Sequence, residues 1–510
     1  MLGALVAAAF LGVAAQPAAH AARPNIVVIT TDDQDAASAS SRAMPHLSRL
    51  LKRSGTSFEQ AIVSGPLCCP SRAVALTGQY GHNNGVMWNN TPAYSFLRDK
   101  GNTLPVWLRG AGYRTAHLGK YLHDFGTAVG DPDAVAPGWS DWQTVLEPVS
   151  YYNYVLRDNG RRVRYGERDD DYITRVLNRR AVRVIERYAP HPAPLFLAID
   201  HFAPHRSGYS DPRCGNFASP DRVDRRAFLD EPLPRPPSFN EPDMSDKPSF
   251  SAGRPGIGRA GRAAIAREHR CRLATLQAVD RGVAQVHAAL QRAGELDDTV
   301  FVFTSDNGWF AGQHRIRAEK IYPYEEALRV PLIVRLPARL KAAASPRTSS
   351  APVANVDIVP TLLALAGARP CSGPEGCRRL DGRSLVGLLR GRRQGWPVDR
   401  ALLLELRSER QKLAFPFTPC DYAGLRAPGR VYIEHRSATA ASGRACWPVS
   451  DAERYDLVAD PFELHNLSPA DPGTSQHETE AVLRSRLAAL RQCAGVEGRD
   501  PPLPGGYFCE

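Results

Sequence analysis

Short runs of branched and aromatic apolar residues mark the strands that organise this chain. Residues 26–29 (IVVI) and 300–303 (VFVF) show no polar alternation, which is typical of strands buried on both faces of a parallel sheet. Residues 194–199 and 330–334 have the same character. Because stretches long enough for helical crossovers separate these runs, the pattern predicts an α/β fold with a mostly parallel sheet.

An amphipathic helix precedes the strand at 300–303. Its apolar positions recur at steps of three and four residues, and they are Leu273, Leu276, Val279, Val283, Val286 and Leu290. This spacing places them on one helix face. Gly294 is expected to end the helix.

The remaining pattern predicts one long loop and a second domain. Residues 206–262 are rich in Pro, Gly, Ser, Asp and Arg and lack periodicity, which predicts a long surface loop of the kind that forms ligand clefts at strand ends. After about residue 392 short apolar runs lead to a final helix near 477–491. We therefore expect a large domain over 23–392 and a smaller α+β domain over 393–510.

The first 22 residues are apolar and close with Ala19-His20-Ala21, the small-x-small pattern that a signal peptidase cleaves. We expect a signal peptide and export, with a membrane anchor as the alternative because no Lys or Arg precedes the apolar stretch. Beyond Ala22 the sequence has no run of ~18 apolar residues, so stable membrane insertion is not expected once the signal is removed.

Charge and cysteine content narrow the class of protein further. A net charge of +11, from 64 basic and 53 acidic residues, attracts polyanions, but the chain has no zinc-finger spacing and no aromatic RNA-binding signature, so nucleic acid is not expected as a partner.

Of the ten cysteines, the adjacent Cys68 and Cys69 cannot easily bond to each other. The other eight form neighbouring couples whose connectivity the sequence does not fix, namely Cys214 with Cys271, Cys371 with Cys377, Cys420 with Cys446, and Cys493 with Cys509.

Acidic and amide residues follow two of the predicted strands. Asp32 and Asp33 come after the first, and Asp306 and Asn307 follow the strand at 300–303. If the two strands lie close together, these four side chains offer oxygen ligands to one hard cation, Ca²⁺ or Mg²⁺. The alternative is that the aspartates only cap helices after the strands.

The most specific motif is residues 68–78, CCPSRAVALTG, in a loop that opens a helix whose N-terminus is able to bind an anion. Taken alone, a Cys pair before Pro indicates a structural role or a nucleophilic thiol. The window, however, resembles the signature of the sulfatase family, in which the first Cys of C-x-P-S-R is oxidised to formylglycine (3-oxoalanine) by a formylglycine-generating enzyme. That position is Cys68 here.

Further segments resemble sulfatase blocks in the family's order between residues 24 and 467. They are Asp32-Asp33, Gly119-Lys120, Ala203-Pro204-His205, Asp306-Asn307-Gly308, His314, Lys320, Arg329-Val330-Pro331 and Tyr455-Asp456-Leu457 to Asn466-Leu467. The resemblance implies an alkaline phosphatase-like α/β domain and a smaller one. His82-Asn83, Asn89-Asn90-Thr91 and Gly119-Lys120-Tyr121-Leu122 are most similar to N-acetylglucosamine-6-sulfatases.

The resemblance also implies a mechanism. Hydrated formylglycine at position 68 attacks sulfur, while the cation held by the two strand ends lowers the pKa of the attacking hydroxyl and polarises the sulfate. Arg72, Lys120 and Lys320 hold the hydrate and the sulfate oxygens, and His205 protonates the leaving alcohol.

A base must then regenerate the aldehyde. Many sulfatases use Lys-x-His, whereas this chain has Lys120-Tyr121-Leu122-His123, with the imidazole one place late. His123 and His314 are therefore both candidates.

Two alternative functions stay open. A phosphomonoester or phosphonate ester hydrolase of the same superfamily shares the metal-bearing strand ends, although the motif from Cys68 to Arg72 favours sulfate. The second alternative is a basic protein that binds sulfated polysaccharide and in which Cys68 is never converted. Block similarity alone points to a carbohydrate sulfate such as N-acetylglucosamine-6-sulfate as substrate.

Overall fold

The computed structural model describes residues 23–89, 92–208, 210–373, 376–407, 421–436, 451–470, 472–501 and 504–510. The strands in these ranges are β1 (Asn25–Thr31), β2 (Thr56–Phe58), β3 (Ala61–Ile62), β4 (Arg114–Gly119), β5 (Asp141–Thr144), β6 (Val155–Asp158), β7 (Arg161–Arg164), β8 (Leu195–Asp200), β9 (Thr299–Ser305), β10 (Leu332–Arg335), β11 (Thr348–Ser349), β12 (Val353–Ala354), β13 (Cys371–Ser372), β14 (Gly376–Cys377), β15 (Leu402–Arg407), β16 (Asp421–Ala427), β17 (Arg430–Arg436) and β18 (Ala452–Asp456). The α-helices are α1 (Pro45–Leu47), α2 (Cys68–Thr77), α3 (Gly81–Asn84), α4 (Leu104–Gly110), α5 (Phe125–Ala128), α6 (Ile173–Tyr188), α7 (Ser249–Ala252), α8 (Arg259–Arg292), α9 (Glu325–Leu328), α10 (Ile358–Ala366), α11 (Val386–Leu389) and α12 (Ser475–Leu490).

The main sheet has eight strands in the order β11-β2-β10-β9-β1-β8-β4-β5. Strand β10 runs antiparallel to its neighbours β9 and β2, and the other seven strands share one direction. The α/β fold with a mixed, mostly parallel sheet is therefore confirmed. All four predicted strands belong to this sheet, as β1, β8, β9 and β10.

Successive residues of the central strands pack on opposite faces of the sheet. In β1, Val27 and Ile29 face a core that includes apolar residues of α6 and α8. Ile26 faces a second core, built with residues of α4 and α10. Because helices cover both faces, these strands carry no polar alternation.

Helix α8 is longer than its apolar periodicity indicates. It spans 34 residues, and all six predicted positions from Leu273 to Leu290 are buried. It ends at Arg292, and Gly294 follows with φ +76°. The prediction of a loop over 206–262 is wrong at its C-terminal end, because α7 and the first turn of α8 lie inside that range; Ala and Arg in residues 259–270 favour helix without an apolar stripe.

A smaller antiparallel sheet of four strands, in the order β15-β16-β17-β18, forms the C-terminal part together with α12. Its apolar residues share one core with Leu67 and Val74 from the region of α2. The predicted α+β character is thus confirmed, whereas the boundary at residue 392 stays a prediction.

Three of the four cysteine couples are disulfides: Cys214–Cys271, Cys371–Cys377 and Cys493–Cys509. Cys68 and Cys69 are free and buried. The couple Cys420 and Cys446, the segment 1–22 and the pair Asn90-Thr91 lie outside the described residues. None of the described helices combines the length and the apolarity needed to cross a membrane.

Candidate active site

The ends of β1 and β9 bring the four predicted cation ligands together. Pairing of the two strands continues to Thr31 opposite Ser305, so the next residues of each strand are neighbours. The backbone N–H of Asp33 donates to Asp306 Oδ1 over 3.1 Å, and Asn307 Nδ2 donates to Asp33 Oδ1 over 2.8 Å. Asp32, Asp33, Asp306 and Asn307 are all buried.

Cys68 is the first residue of α2 and lies against these strand ends. Its Sγ is 3.6 Å from Asp32 Oδ1, 3.5 Å from Lys120 Nζ and 3.3 Å from Lys320 Nζ. The next residue, Cys69, is held by a hydrogen bond from its backbone N–H to Asn89 Oδ1 over 2.8 Å. The structure therefore brings Cys68, the first residue of the motif at 68–78, to the acidic strand ends.

The two lysines reach the site from different segments. Lys120 follows β4 and forms an ion pair with Asp32, and Lys320 forms an ion pair with Asp33. The residue before Lys120 must be glycine, because Gly119 has φ +108° and a Cβ there would lie 2.0 Å from the Asp200 carbonyl oxygen. This close approach fixes where the lysine leaves the strand.

Arg72, one turn into α2, ties the helix to three strand ends. Its Nε donates to Asp306 Oδ2 and its Nη1 to the Lys120 carbonyl, both over 2.9 Å. Nη1 also lies 3.3 Å from Asp200 Oδ1. Asp200 was not among the sequence-predicted site residues, although it ends β8 just as Asp32 follows β1. Its other oxygen is 3.2 Å from His117 Nε2.

Two of the three predicted histidines line the site. His205 Nδ1 donates to the Arg206 carbonyl over 2.5 Å, which leaves its Nε2 3.6 Å from Asp33 Oδ2. His123 donates its backbone N–H to Cys69 Sγ over 3.5 Å and has its Nε2 3.9 Å from Glu147 Oε1. Both side chains are partly exposed, at 28% and 22%.

His314 is placed elsewhere. It is completely buried, its Nδ1 lies 2.7 Å from Glu241 Oε2, and its Nε2 faces Glu326 Oε2 at 3.7 Å. Its backbone N–H is bonded to the Ser238 carbonyl, so the loop after β9 turns this side chain toward residues 238–241. The structure therefore does not support His314 as a base acting on position 68.

Buried charges shift the pKa values of the site in opposite directions. Burial and the charge of Asp32 raise the pKa of Asp306 to about 7. Burial alone would raise the pKa of Asp32 as well, but Lys120, His205 and Arg72 together hold it well below its usual value. Burial and Asp32 raise the pKa of the Cys68 thiol to about 12, and burial lowers that of His205 to about 4.

Oxygen atoms at the strand ends fit a hard cation. Within the part of the chain that the structure describes, Asp33 Oδ2 and Asn307 Oδ1 are buried without a hydrogen-bond donor. Ligand atoms of Asp32, Asp33, Cys68 and His205 all lie within 4.8 Å of one another. A set dominated by carboxylate and amide oxygens suits Ca²⁺ or Mg²⁺ better than zinc.

One residue that the sequence pattern did not indicate, Arg272, stabilises this arrangement. Arg272 of α8 donates to the backbone carbonyls of Asp33 and Pro204, the latter over 3.1 Å, and so fixes the turn that carries Asp33. The apolar periodicity of α8 gave no signal for Arg272, because it lies beside the stripe and not in it.

Comparisons with known proteins agree with this geometry. Residues 24–368 match the family model described as Sulfatase. The human N-acetylglucosamine-6-sulfatase is 31% identical over 516 residues, which cover 96% of this chain and 89% of that protein. A Sulf-1 homolog from Caenorhabditis elegans, named as an extracellular sulfatase, is 35% identical over 375 residues; the match covers 72% of this chain but only 49% of that longer protein.

Among solved structures, a protein in complex with its substrate D-glucosamine-2-N,6-O-disulfate has the same fold, with a TM-score of 0.67 at 24% identity. The alignment covers 91% of this chain and 97% of the other. The family match extends over more than half of the chain, and the human relative covers nearly all of it. This chain therefore belongs to the sulfatase family and is a sulfuric ester hydrolase.

Proposed function

We propose that the protein removes a sulfate ester from a carbohydrate, with N-acetylglucosamine-6-sulfate as the representative substrate, using formylglycine made from Cys68 and a divalent cation. One observation carries the proposal: the side chain of residue 68 lies between Asp32 and two lysine ammonium groups. A nucleophile that attacks a tetrahedral anion needs an activating cation and positive charge beside it, and the position of residue 68 can offer both.

The cation site consists of Asp32, Asp33, Asp306 and Asn307, and Ca²⁺ is the favoured ion, with Mg²⁺ as the alternative. A bound ion would polarise the sulfate and lower the pKa of the hydroxyl group on residue 68. The unpartnered Asp33 Oδ2 and Asn307 Oδ1 support this assignment. Lys120 and Lys320, which pair with Asp32 and Asp33 and lie 3.5 and 3.3 Å from Cys68 Sγ, would supply positive charge to the sulfate oxygens.

The other residues have distinct tasks. Arg72 holds Asp306 and the Lys120 carbonyl in place, so it positions two of the groups that surround residue 68. His205, at the partly exposed rim, is the candidate that protonates the departing alcohol; burial lowers its pKa to about 4 in the free site, and the negative charge of a bound sulfate ester would favour its protonated form. His123 lines the site and is the candidate base for aldehyde regeneration; its Nε2 lies 3.9 Å from Glu147 Oε1.

Conversion of Cys68 is tested directly by mass spectrometry of the peptide that contains residues 68–72. Active protein should show the loss of mass that accompanies oxidation of the thiol to an aldehyde. Active protein with an intact thiol at position 68 would refute the mechanism. Inactive protein that binds sulfated polysaccharide and keeps the thiol would instead support a binding function.

Sulfate and phosphate chemistry are separated by paired assays. We expect hydrolysis of an aryl sulfate to exceed that of the matching aryl phosphate or phosphonate ester, because the window from Cys68 to Arg72 carries the sulfatase signature. A clear preference for the phosphorus ester under saturating Ca²⁺ would identify the protein as a phosphate- or phosphonate-directed member of the superfamily.

The carbohydrate substrate rests on the similarity to N-acetylglucosamine-6-sulfatases and on the net charge of +11, which favours anionic glycans. We expect desulfation of N-acetylglucosamine-6-sulfate or of a heparin-like oligosaccharide. Efficient hydrolysis of small aryl sulfates with no activity on any sulfated sugar would overturn the substrate assignment while leaving the sulfatase chemistry intact.

Export of the protein belongs to the same proposal. Three disulfides and the apolar segment 1–22 fit a chain that matures in an oxidising compartment. N-terminal sequencing of secreted protein should give a mature chain that begins close to residue 23. In that mature chain we expect the catalytic domain to extend to residue 392 and the smaller domain to follow it.

A further inference from the structure

A second group of potential metal ligands lies outside the proposed active site. It consists of His314, Glu326 and Glu463, here called the His-Glu cluster. One ligand atom from each residue lies within 4.8 Å of the other two. The three residues come from the loop after β9, from α9 and from the segment that follows β18, so only the folded chain assembles them.

Each residue of the His-Glu cluster directs an unpartnered atom at the others. Among the described residues, His314 Nε2, Glu326 Oε2 and Glu463 Oε1 are buried and make no hydrogen bond. His314 is 0% exposed and Glu463 is 1% exposed. A buried polar atom without a partner is costly, and three that converge on one point call for a shared ligand.

The spacing fits a bound cation better than a direct hydrogen bond. His314 Nε2 and Glu326 Oε2 are 3.7 Å apart, which is too long for a hydrogen bond. Tetrahedral zinc with bonds to nitrogen and oxygen of about 2.1 Å holds its ligand atoms roughly 3.4 Å from each other. A small contraction of the cluster would therefore complete the coordination.

The other ring nitrogen of His314 is fixed as it is in known metal sites. Nδ1 donates to Glu241 Oε2 over 2.7 Å, and the ring stacks on Tyr324 at 4.4 Å between centroids. A carboxylate on Nδ1 leaves the Nε2 lone pair free for a metal and makes it more basic. The ring is therefore oriented toward the two glutamates before any ion arrives.

Neighbouring cations are already engaged with other groups. Lys247 Nζ is 3.1 Å from Glu241 Oε1, and Arg426 Nε is 2.6 Å from Glu325 Oε1. Among the described residues, His314 is the cation that lies within 4.0 Å of Glu326, and its charge also opposes the burial that raises the pKa of Glu463. A divalent cation would neutralise both carboxylates.

Glu326 is the member of the cluster whose side chain is nearest to solvent, although its Oε2 atom is buried. Its side chain is 17% exposed and it lines a cavity of about 800 Å³, whereas the two other ligands are closed off. Three protein ligands and one open position for water make up a common arrangement for zinc.

We propose that the His-Glu cluster is a second metal site, which binds Zn²⁺ through His314 Nε2, Glu326 and Glu463 and ties the C-terminal segment to the loop after β9. A nitrogen ligand with two carboxylates selects a borderline transition metal over Ca²⁺. The site is separate from the cation site at Asp32 and Asp33, and it does not depend on the proposed catalytic function.

The test is zinc binding by the purified full-length protein after chelator treatment. Isothermal titration with ZnCl₂ and elemental analysis after dialysis should give one tightly held zinc per chain. Glu463→Gln and Glu326→Gln should each weaken zinc binding roughly 100-fold or more, since even outer ligands to a metal-bound histidine are worth 10- to 100-fold. Zinc should raise the Tm of the wild type but not of these variants.

Two control variants locate the zinc. Asp33→Asn removes a ligand of the active-site cation and should keep the zinc. Glu268→Gln changes a buried glutamate that lines the same cavity and should also keep it. The proposal is overturned if the wild type binds no zinc, if Glu463→Gln binds it as tightly as the wild type, or if Asp33→Asn abolishes it.

Discussion

At the scale of single residues, Arg72 shows how much of the site depends on hydrogen-bond geometry as well as on charge. Its guanidinium contacts Asp306, Asp200 and the carbonyl of Lys120 at once. A lysine at this position would keep the charge but lose the planar fork that satisfies several acceptors. Because Arg72 is 6% exposed, water cannot replace the missing contacts.

Arg72→Lys should therefore lower kcat by roughly 100-fold, the size of effect found when a preorganised polar contact in an active site is lost. Arg72→Ala should in addition destabilise the fold by about 3–5 kcal/mol, because Asp306 and Asp32 lose a buried counter-charge. Steady-state kinetics and chemical denaturation measure the two effects. Normal kcat in Arg72→Lys would show that only the charge matters.

His205 and His123 lead to a different prediction, based on the leaving group. A general acid matters most when the departing alcohol is a poor leaving group, and it contributes about 100- to 10,000-fold in such cases. His205→Gln should thus lower kcat/KM for a sugar or alkyl sulfate by at least about 100-fold, and for nitrophenyl sulfate by less than about 10-fold.

His123→Gln serves as the matched comparison, since His123 lines the same rim but has no role in protonating the alcohol. It should slow both substrates by similar factors. Equal losses on the two substrates in His205→Gln would remove His205 from the role of acid.

At the scale of secondary-structure elements, the strand ends could be predicted from sequence and the loops could not. Parallel strands present their carboxyl ends at one edge, so two apolar runs followed by Asp were enough to predict the cluster of Asp32 and Asp306. The partners of His314 could not be predicted, because Glu241 and Glu463 are 73 and 149 positions away in sequence. Only the folding of the irregular segment 206–248 against the C-terminal part brings them together.

That irregular segment is tied to α8 by the disulfide between Cys214 and Cys271, which are separated by 57 residues in sequence. Closing a loop of this length removes chain entropy worth about 4 kcal/mol from the unfolded state. Replacing both cysteines by alanine should lower the free energy of unfolding by up to that amount. Urea denaturation measures it.

Replacing both Cys371 and Cys377 is the control, because that bond closes a loop of only six residues and should stabilise less. If the two double variants lose equal stability, loop entropy is not the dominant contribution of the longer bond.

At the scale of the whole molecule, polar contacts as well as a shared core join the C-terminal sheet to helices and loops of the larger part of the chain. His82 of α3 lies 3.0 Å from Glu405 of β15, and its Nε2 donates to the Cys493 carbonyl over 2.9 Å. Because a carboxylate and a carbonyl only accept hydrogen bonds, the ring donates from both nitrogens and is protonated. Glu405 and, more distantly, Asp381 raise the pKa of His82 to about 9, although burial opposes this.

This raised pKa predicts how the stability of the protein depends on pH. The contribution of His82 is fully present below its unfolded pKa of about 6.5 and is lost as pH rises through about 9. Between pH 6 and pH 10, the free energy of unfolding of the wild type should therefore fall by up to about 3 kcal/mol more than that of His82→Gln. The exposed His477 provides the control, and His477→Gln should follow the wild type. Parallel curves for the wild type and His82→Gln would mean that the charge of His82 does not hold α3 against the C-terminal sheet.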